Sequence, residues 1–495
     1  MRGYFPFLEC IKNYDKTLFK GDLSAGITIG VLLIPQGMAY AMIAGLPPVY
    51  GLYASIIPQI IYSLMGSSPQ LSMGPVAMDS LLVATAINTM SVVDADHYIT
   101  LAIFLALFVG VIQIFLGFLK FGFLVNFLSK PVINGFTSGV AIIIGLGQLN
   151  HILGIDIPSN SLLHKIIQSV WYADANVHLH TVLIAIASIV LIISLKKFSK
   201  KIPGTLVVVI LATVLASKMN WGELGVKTVG FIPKGLPSMG LKYVSAGEIY
   251  QLIPMALTLA LIAFLEAISV AKAVELEEKK ETIQPNQELI ALGTANIIGS
   301  LFQAYPTTGS FSRTAVSHQS GAKTGVASLV SAALVALTLL FFTDLFYHLP
   351  KAVLGAIILT SVFQLIKFEY PYQLWKTHRE EFFVLLLTFL LTLFVGIKEG
   401  ILFGILISLS LMVYRSSQPH IAVLGRIKGT SHFRNVLRFS EEVQTFPGIL
   451  ILRFDGQLFF GNGSYFTKQI NERIENQKER ISHLVIDAGP INYID

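Results

Sequence analysis

The chain has 495 residues, of which 54% are hydrophobic and 13% charged, and its mean hydropathy is +0.69. Soluble domains carry about 25% charged residues, so this composition excludes an ordinary soluble enzyme and a disordered chain. The single cysteine, Cys10, excludes a disulfide-stapled scaffold. The net charge of +6 comes from basic residues in short loops between apolar runs, which argues against nucleic-acid binding. The composition is typical of a polytopic transporter or channel.

Apolar segments recur along most of the chain. A helix needs about 20 apolar residues to cross the hydrocarbon core of a bilayer. By this measure the sequence predicts about fourteen spans between 24 and 415. They lie near 24–45, 48–65, 76–90, 99–119, 131–150, 178–195, 203–217, 252–271, 287–303, 311–320, 324–342, 350–366, 381–396 and 399–414.

The distribution of lysine and arginine predicts the orientation. Residues 1–23 mix basic and apolar side chains without a signal-peptide pattern, so we expect a cytoplasmic amphipathic segment there. The loops near 196–201, 272–280 and 367–379 are the most basic and are expected on the cytoplasmic side. An even number of spans then places both termini in the cytoplasm.

Two of the apolar segments, 76–90 and 311–320, are too short to cross the membrane as helix alone. Each follows a stretch rich in glycine, proline and small polar residues. They are third and tenth in order, which predicts two seven-span repeats, about 24–217 and 245–415. Paired interrupted spans are the best sequence indication of a transporter site. If the repeats are inverted, the two helix N-termini meet near the membrane midplane and form an anion site. The alternative is that these stretches are ordinary loops between complete spans.

Arg313 lies in the first turn of the second short helix, where a cation opposes the helix dipole. A bound anion would offset that penalty and the cost of placing a charge in the membrane. The alternative is an arginine that snorkels to the interface or forms a structural ion pair.

Glu266 is the single acid of the span 252–271, and an intramembrane carboxylate is by default a functional candidate. We expect it to couple proton movement to anion movement, although a permanent ion pair with Arg313 is the competing interpretation.

Asp79, in the first turn of the first short helix, is expected to favour the helix dipole as a cap. Gln36 and Tyr40 share one face of the first span, and either a bound oxyanion or a neighbouring helix could satisfy them.

Beyond Arg415 the chain becomes more polar. The pattern predicts a strand or hairpin over 449–460, a helix capped by Ser464 that runs to about Arg480, and a buried strand over 483–487. This is the beginning of a small α/β domain over 416–495. No nucleophile–base pair, phosphate-binding loop or metal-ligand spacing is visible, so the sequence predicts no enzyme, no metal site and no cofactor.

Several specific motifs resemble the sulfate permease (SulP) family of anion transporters. They are 34–41 (IPQGMAYA), 47–55 (PPVYGLYAS), 66–68 (GSS), 72–77 (SMGPVA), 286–289 (NQEL), Gly293 with Ala295 and Asn296, and 308–316 (TGSFSRTAV). The resemblance covers nearly the whole chain. One departure is Pro69, where many members carry a basic residue.

The resemblance implies an all-α membrane domain of two inverted seven-span repeats, divided into core and gate domains, followed by a partial cytoplasmic STAS domain. It also implies homodimers in the cell (inner) membrane. In family terms the anion lies between the N-termini of the third and tenth helices. The matching substrate-binding positions are Gln36, Tyr40, Val76, Ala77, Phe311, Ser312 and Arg313, and Glu266 matches the acid linked to cation coupling. In the sodium-coupled bicarbonate branch that acid is typically Asp, with Thr one turn later. Val270 stands there and offers no oxygen, which favours protons over sodium.

The expected function is therefore a secondary active transporter, with sulfate–proton symport by an elevator-like mechanism as the first choice. Bicarbonate or C4-dicarboxylate transport, coupled to sodium or protons, remains an alternative within the family. An uncoupled anion channel or exchanger and a nucleobase–cation symporter are the others. We expect the partners to be a small inorganic anion, a proton and the lipid bilayer.

Overall fold

A computed structural model of the chain describes residues 6–7, 14–90, 92, 94–123, 129–155, 163, 168, 177–198, 204–278, 283–477 and 480–495. The chain divides into two compact units, Met1–Ile405 and Leu406–Asp495. In the described residues the first unit is mainly helical and includes one two-stranded pair, and the second contains a sheet.

The helices of the first half follow the predicted spans closely. They are α1 (Lys16–Ile43), α2 (Pro48–Tyr53), α3 (Ile57–Met65), α4 (Ala77–Asn88), α5 (Ala95–Phe118), α6 (Lys130–Gly147), α7 (Leu149–Leu153), α8 (Leu179–Phe198) and α9 (Gly204–Lys218). A short strand, β1 (Met73–Gly74), precedes α4.

The second half repeats this order. Its helices are α10 (Ala246–Glu278), α11 (Pro285–Leu301), α12 (Phe311–Gln319), α13 (Val326–Leu337), α14 (Lys351–Val362), α15 (Glu369–Thr377), α16 (Arg379–Phe394) and α17 (Ile397–Ser417). The strand β2 (Thr308–Gly309) precedes α12. A π-helical turn, Thr338–Phe342, extends α13.

Among the described residues, six helices are long and apolar enough to cross a membrane. They are Lys16–Ile43, Ala95–Phe118, Lys130–Leu153, Leu179–Phe198, Ala246–Lys272 and Val326–Phe346. Shorter apolar helices lie at Ala77–Asn88, Gly204–Lys218, Lys351–Phe363 and Leu402–Ser417. The predicted helical membrane architecture is therefore confirmed.

Local signals set several helix starts. Proline occupies the first turn of α2, α3, α6 and α11, where its missing N–H is not needed and its fixed φ suits the helix. Asp15 caps α1 by accepting hydrogen bonds from the N–H groups of Thr17 and Leu18 at 2.9 and 2.8 Å. As a result α1 begins at Lys16, not at 24 as predicted. The predicted amphipathic segment 1–23 otherwise lies largely outside the described residues.

Two further boundaries differ from prediction. The second span, predicted as one segment over 48–65, is broken into α2 and α3. The helix α15, between the twelfth and thirteenth predicted spans, was not predicted because its sequence is mostly polar and aromatic.

The helices of the first unit pack in three main pairs, α5 with α11, α1 with α13 and α6 with α16. A large buried apolar cluster joins α1, α4, α6 and α14 and includes Met38, Leu82, Phe136 and Val353. This core holds the short helix α4 in place.

The second unit is a small sheet with one helix. Its strands are β3 (Ile421–Ile427), β4 (Phe433–Asn435), β5 (Val443–Gln444), β6 (Ile449–Phe454) and β7 (His483–Asp487), in the order β4-β3-β6-β7, with β5 also paired to β3. The β6–β7 pair is parallel and the other pairs are antiparallel. Helix α18 (Gly463–Glu475) lies between β6 and β7 in sequence, and Ile470 packs with Leu450 and Leu452.

Four details predicted for this unit are wrong. The strand predicted over 449–460 ends at Phe454. The N-cap of α18 is Asn462 instead of Ser464, and the helix ends at Glu475, before Arg480. The strand at 483–487 is present but partly exposed, because β7 is the last strand of the sheet order.

Candidate anion site

The unwound segments before α4 and α12 pair with each other. Strands β1 and β2 are antiparallel, with Met73 opposite Gly309 and Gly74 opposite Thr308. The Ser310 N–H donates to the Ser72 carbonyl at 3.1 Å, and the Ser72 N–H donates to Thr314 Oγ1 at 3.0 Å. Helix α4 begins three residues after β1, at Ala77, and helix α12 begins two residues after β2, at Phe311. The structure thus brings the two helix N-termini together. If the two segments were ordinary loops between complete spans, they would not be expected to pair in this way.

Neither short helix begins with a side-chain cap. The N-cap residues are Val76 for α4 and Ser310 for α12, and neither makes a capping hydrogen bond through its side chain. The first N–H groups of a helix have no intrahelical acceptor, and their partial positive charge attracts anions. Two such ends meeting at one place form a candidate site for a single anion.

Arg313 adds a formal positive charge to the two helix ends. Its side chain is 0% exposed, so it does not snorkel to the surface. Nη1 donates to the Pro75 carbonyl at 2.9 Å, and Nε lies 3.4 Å from Ser72 Oγ. The guanidinium of α12 is therefore fixed against the segment that leads into α4. Nη2 is buried and makes no hydrogen bond among the described residues.

Glu266 projects from α10 towards the same region. Its carboxylate interacts electrostatically with Arg313 and Asp79, and Oε2 is buried without a hydrogen-bond partner among the described residues. No ion pair within 4.0 Å joins Glu266 to Arg313 in the described part of the chain. The permanent ion pair considered for this glutamate is therefore not formed here.

Gln36 and Tyr40 lie one turn apart on α1 and are 6% and 4% exposed. Gln36 Oε1 has no hydrogen-bond partner among the described residues. Tyr40 interacts electrostatically with Arg313 and Glu266. The structure therefore places Tyr40, Arg313 and Glu266 in one electrostatic cluster.

The remaining predicted site residues lie at the starts of the two short helices. Val76 and Ala77 are buried at the beginning of α4. Phe311 is 39% exposed, and Ser312 is exposed as well, with its Oγ 3.3 Å from Ser310 Oγ. The opposite face of α12, with Arg313, Thr314 and Ser317, is buried. The exposed start of α12 thus differs from the buried start of α4.

Other residues of this region were not predicted from the sequence. Tyr305, which is 0% exposed, forms a hydrogen bond of 3.2 Å with Ser80 of α4 and interacts electrostatically with Arg313 and Asp79. Thr308 Oγ1 donates to the Ala263 carbonyl at 2.6 Å and so ties β2 to α10. Its position directly before Pro306, in the second unwound segment, is the sequence feature that could have identified Tyr305 as a residue of this region. Asp79 also differs from expectation, because neither of its oxygens accepts a capping hydrogen bond.

Metal ligands do not cluster in the described residues, where no group of three His, Cys, Asp or Glu side chains could hold an ion. The arrangement is suited instead to binding an anion through backbone N–H groups, a guanidinium and an amide.

Comparisons with known proteins agree with this geometry. Residues 19–388 match the model of the Sulfate permease family, and residues 441–495 match the STAS domain. The chain is 37% identical to "Sulfate transporter 4.1, chloroplastic" of Arabidopsis thaliana over 99% of its length and 74% of the relative. It is 36% identical to "High affinity sulfate transporter 2" of Stylosanthes hamata over 99% of this chain and 77% of the relative.

Solved structures share the fold. The structure of SLC26A9 superposes with a TM-score of 0.90 at 25% identity, over 100% of this chain and 83% of that one. The transmembrane domain of the cyanobacterial bicarbonate transporter BicA superposes with a TM-score of 0.69 at 24% identity, over 80% of this chain and 98% of that one, and this likeness concerns the fold alone. The resemblance noted in the sequence is confirmed: the chain belongs to the sulfate permease family and is a multi-pass membrane anion transporter with a STAS region.

Proposed function

We propose that this chain is a secondary active transporter that moves sulfate together with protons. The observation that carries this proposal is the meeting of two uncapped helix N-termini, through the β1–β2 pair, beside the buried guanidinium of Arg313. A tetrahedral dianion suits this arrangement because it can accept hydrogen bonds from both helix ends and from the unpaired Nη2 at once. The names of the two plant relatives, both sulfate transporters, support the same substrate.

Each predicted site residue has a proposed role. Arg313 supplies the charge, and Gln36 donates its amide to the anion. Tyr40 orients the guanidinium or the substrate through its hydroxyl. Val76, Ala77, Phe311 and Ser312 begin the two helices and present their backbone N–H groups. A neutral nucleobase has no full negative charge to offset the burial of Arg313. A nucleobase–cation symporter is therefore the weaker candidate function.

Proton coupling is assigned to Glu266. Its carboxylate lacks an ion-pair partner among the described residues, and one oxygen is buried and unpaired. A buried carboxylate of this kind is stabilised by taking up a proton, and the proton changes the charge next to the anion. We further propose an elevator-like shift of the core relative to the gate, a homodimer, cytoplasmic termini and residence in the cell (inner) membrane, all on the strength of the family and of the basic loops.

The test is uptake of radiolabelled sulfate by purified protein in liposomes, with an acidic external solution. We expect Arg313→Gln and Gln36→Ala each to lower uptake about tenfold or more, because a hydrogen bond to a charged group contributes about 1.5–3 kcal/mol. Arg438→Gln is the matched control, since Arg438 is exposed in the second unit. Uptake by both site variants at the level of the control would refute the site.

The substrate is tested by competition. Excess unlabelled sulfate should suppress uptake fully, and bicarbonate, fumarate and uracil should suppress it much less. Suppression by bicarbonate or fumarate at lower concentrations than sulfate would assign the site to one of the alternative anions. Unitary currents in planar bilayers would favour a channel.

A further inference from the structure

Asp79 is a buried acid that neither the helix nor the proposed site explains. It is the third residue of α4 and is 0% exposed. Both carboxylate oxygens are buried and accept no hydrogen bond from any described residue. A carboxylate that caps a helix accepts a hydrogen bond from a backbone N–H. A buried carboxylate with a structural role usually forms an ion pair. The carboxylate does neither.

The groups that face Asp79 come from several elements. Glu266 of α10 and Tyr305, ahead of β2, interact with it electrostatically. Arg313 of α12 and Tyr40 of α1 interact with Glu266 and complete the cluster. The other helices packed against α4 carry ionisable side chains only in their first turns, namely Asp96, His97 and Tyr98 on α5 and Lys130 on α6. Arg313 is thus the only cation within this cluster of described residues.

The charges of this cluster do not balance. With both carboxylates ionised, negative charges outnumber the single guanidinium, and the cluster repels an incoming dianion. An isolated buried carboxylate is far less costly when it carries a proton. With both carboxylates protonated, Arg313 and the two helix ends are left as the net positive charge. The dianion therefore binds best when Asp79 and Glu266 each hold a proton.

We propose that Asp79 is a second proton-carrying residue of the transport cycle, so that two protons, one on Asp79 and one on Glu266, accompany each divalent anion. This inference rests on the proposed function. Asp79 lies in the first turn of α4, so its proton is held next to the anion that binds the same helix end. Two protons and one sulfate carry no net charge, so a complete transport cycle moves no net charge across the membrane.

The first experiment needs only the wild-type chain in liposomes. Proton entry is followed with an entrapped pH dye, and sulfate entry with radiolabel, while valinomycin and potassium set the membrane potential. We expect about two protons per sulfate and a steady-state accumulation of sulfate that is unchanged between inside-negative and inside-positive potentials. A wild-type ratio of about one proton per sulfate would overturn the role of Asp79 and leave sulfate–proton transport intact. Absence of sulfate uptake altogether would instead refute the proposed function.

The second experiment compares variants. Asp79→Asn should lower the ratio from about two to about one and make uptake faster at inside-positive potential, because the cargo then carries net negative charge. Asp96→Asn is the matched control, since Asp96 is also a first-turn acid but its side chain is 79% exposed. An unchanged ratio in Asp79→Asn would overturn the proposal.

Binding provides a readout if Asp79→Asn does not transport. Protons taken up when sulfate is added to the detergent-solubilised protein are counted in weakly buffered solution between about pH 5 and 8. The wild type should take up more than one proton per bound sulfate at the pH of maximal uptake, and Asp79→Asn about one fewer. Uptake of one proton or fewer by the wild type at every pH would overturn the proposal without any variant.

Discussion

Asn296 of α11 holds Thr307 by both of its amide atoms. Oδ1 accepts a hydrogen bond from the Thr307 N–H at 2.9 Å, and Nδ2 donates to the Thr307 carbonyl at 3.1 Å. Nδ2 also lies 3.3 Å from Gln113 Oε1 of α5. Asn296 is 0% exposed, so the backbone just before β2 is paired with this side chain instead of with water. The backbone that leads into α12 at the candidate anion site is therefore positioned by a residue of another helix.

Replacing Asn296 by alanine is expected to remove sulfate uptake and to lower thermal stability. The change leaves the buried N–H and carbonyl of Thr307 unpaired, and each such group costs about 1–3 kcal/mol. Thermal unfolding in detergent and uptake in liposomes measure the two effects. Asn471→Ala is the control, because Asn471 is exposed on α18. If Asn296→Ala took up sulfate as fast as the control, the hydrogen bonds from Asn296 to Thr307 would not be needed for transport.

The sequence was sufficient to predict most of the helical segments, including the two short helices of the candidate site, because length and hydropathy are local properties. It also indicated Arg313 and Glu266, since a charge inside an apolar run stands out. It did not predict the pairing of β1 with β2. Two-residue strands more than two hundred positions apart leave no periodic pattern, and their register depends on tertiary contacts such as the bond from Ser310 to Ser72.

The role of Asp79 could not be inferred for a related reason. An acid in the first turn of a helix is usually favourable to the helix dipole, and the sequence cannot show whether its oxygens find donors. Only the structure shows that they do not. In the second unit the strand 483–487 was predicted to be buried from its apolar residues, and its edge position explains the exposure of Leu484 and Val485.

Close helix packing at Gly110 and Gly293 gives a stability prediction. A Cβ placed on either glycine would lie 2.6 Å from the carbonyl oxygen of the other, so α5 and α11 touch backbone to backbone. Gly110→Ala should lower the free energy of unfolding by about 1–3 kcal/mol, despite the better helix propensity of alanine. Gly147→Ala is the matched control, because no atom lies within 4 Å of the added Cβ. Equal thermal midpoints for the two variants would contradict the close contact.

Glu266 gives a prediction about coupling. Glu266→Gln keeps the shape of the side chain but cannot release a proton, so the ratio of protons to sulfate should fall by about one and uptake should respond less to an imposed pH gradient. Counterflow of labelled against unlabelled sulfate, which needs no gradient, is the control for an intact anion site. A proton-to-sulfate ratio in Glu266→Gln equal to that of the wild type would show that this proton is carried elsewhere.

Val270 gives a prediction about the coupling ion. Its side chain is buried one turn beyond Glu266 and offers no oxygen to a hard cation. Wild-type uptake should therefore be unchanged when sodium is replaced by potassium at constant pH, with no membrane potential. A sodium requirement in the wild type would show that other oxygens build a cation site, and would favour the sodium-coupled alternative.

The second unit gives a prediction about pH. Asp455 accepts hydrogen bonds from Arg453 Nε at 2.6 Å and Nη2 at 3.2 Å, and its Oδ2 lies 3.0 Å from His420 Nδ1. The Arg453 guanidinium, and His420 after it, hold the pKa of the Asp455 carboxyl below its usual value. A carboxyl whose pKa is lower in the folded state stabilises that state above the unfolded pKa of about 3.9, and the contribution is lost as the pH falls through the folded pKa.

Hydrogen–deuterium exchange of the full chain measures this effect at the end of β6, where the Asp455 N–H donates to the His420 carbonyl at 2.9 Å. Protection there, corrected for the intrinsic exchange rate, should decrease in the wild type between about pH 5 and pH 3. In Asp455→Asn protection should be lower at pH 5 and should change less with pH, since the carboxylate is absent. Glu441→Gln, at an exposed acid of the same unit, should behave as the wild type. If Asp455→Asn kept the wild-type pH profile, the ion pair with Arg453 would not stabilise this end of β6.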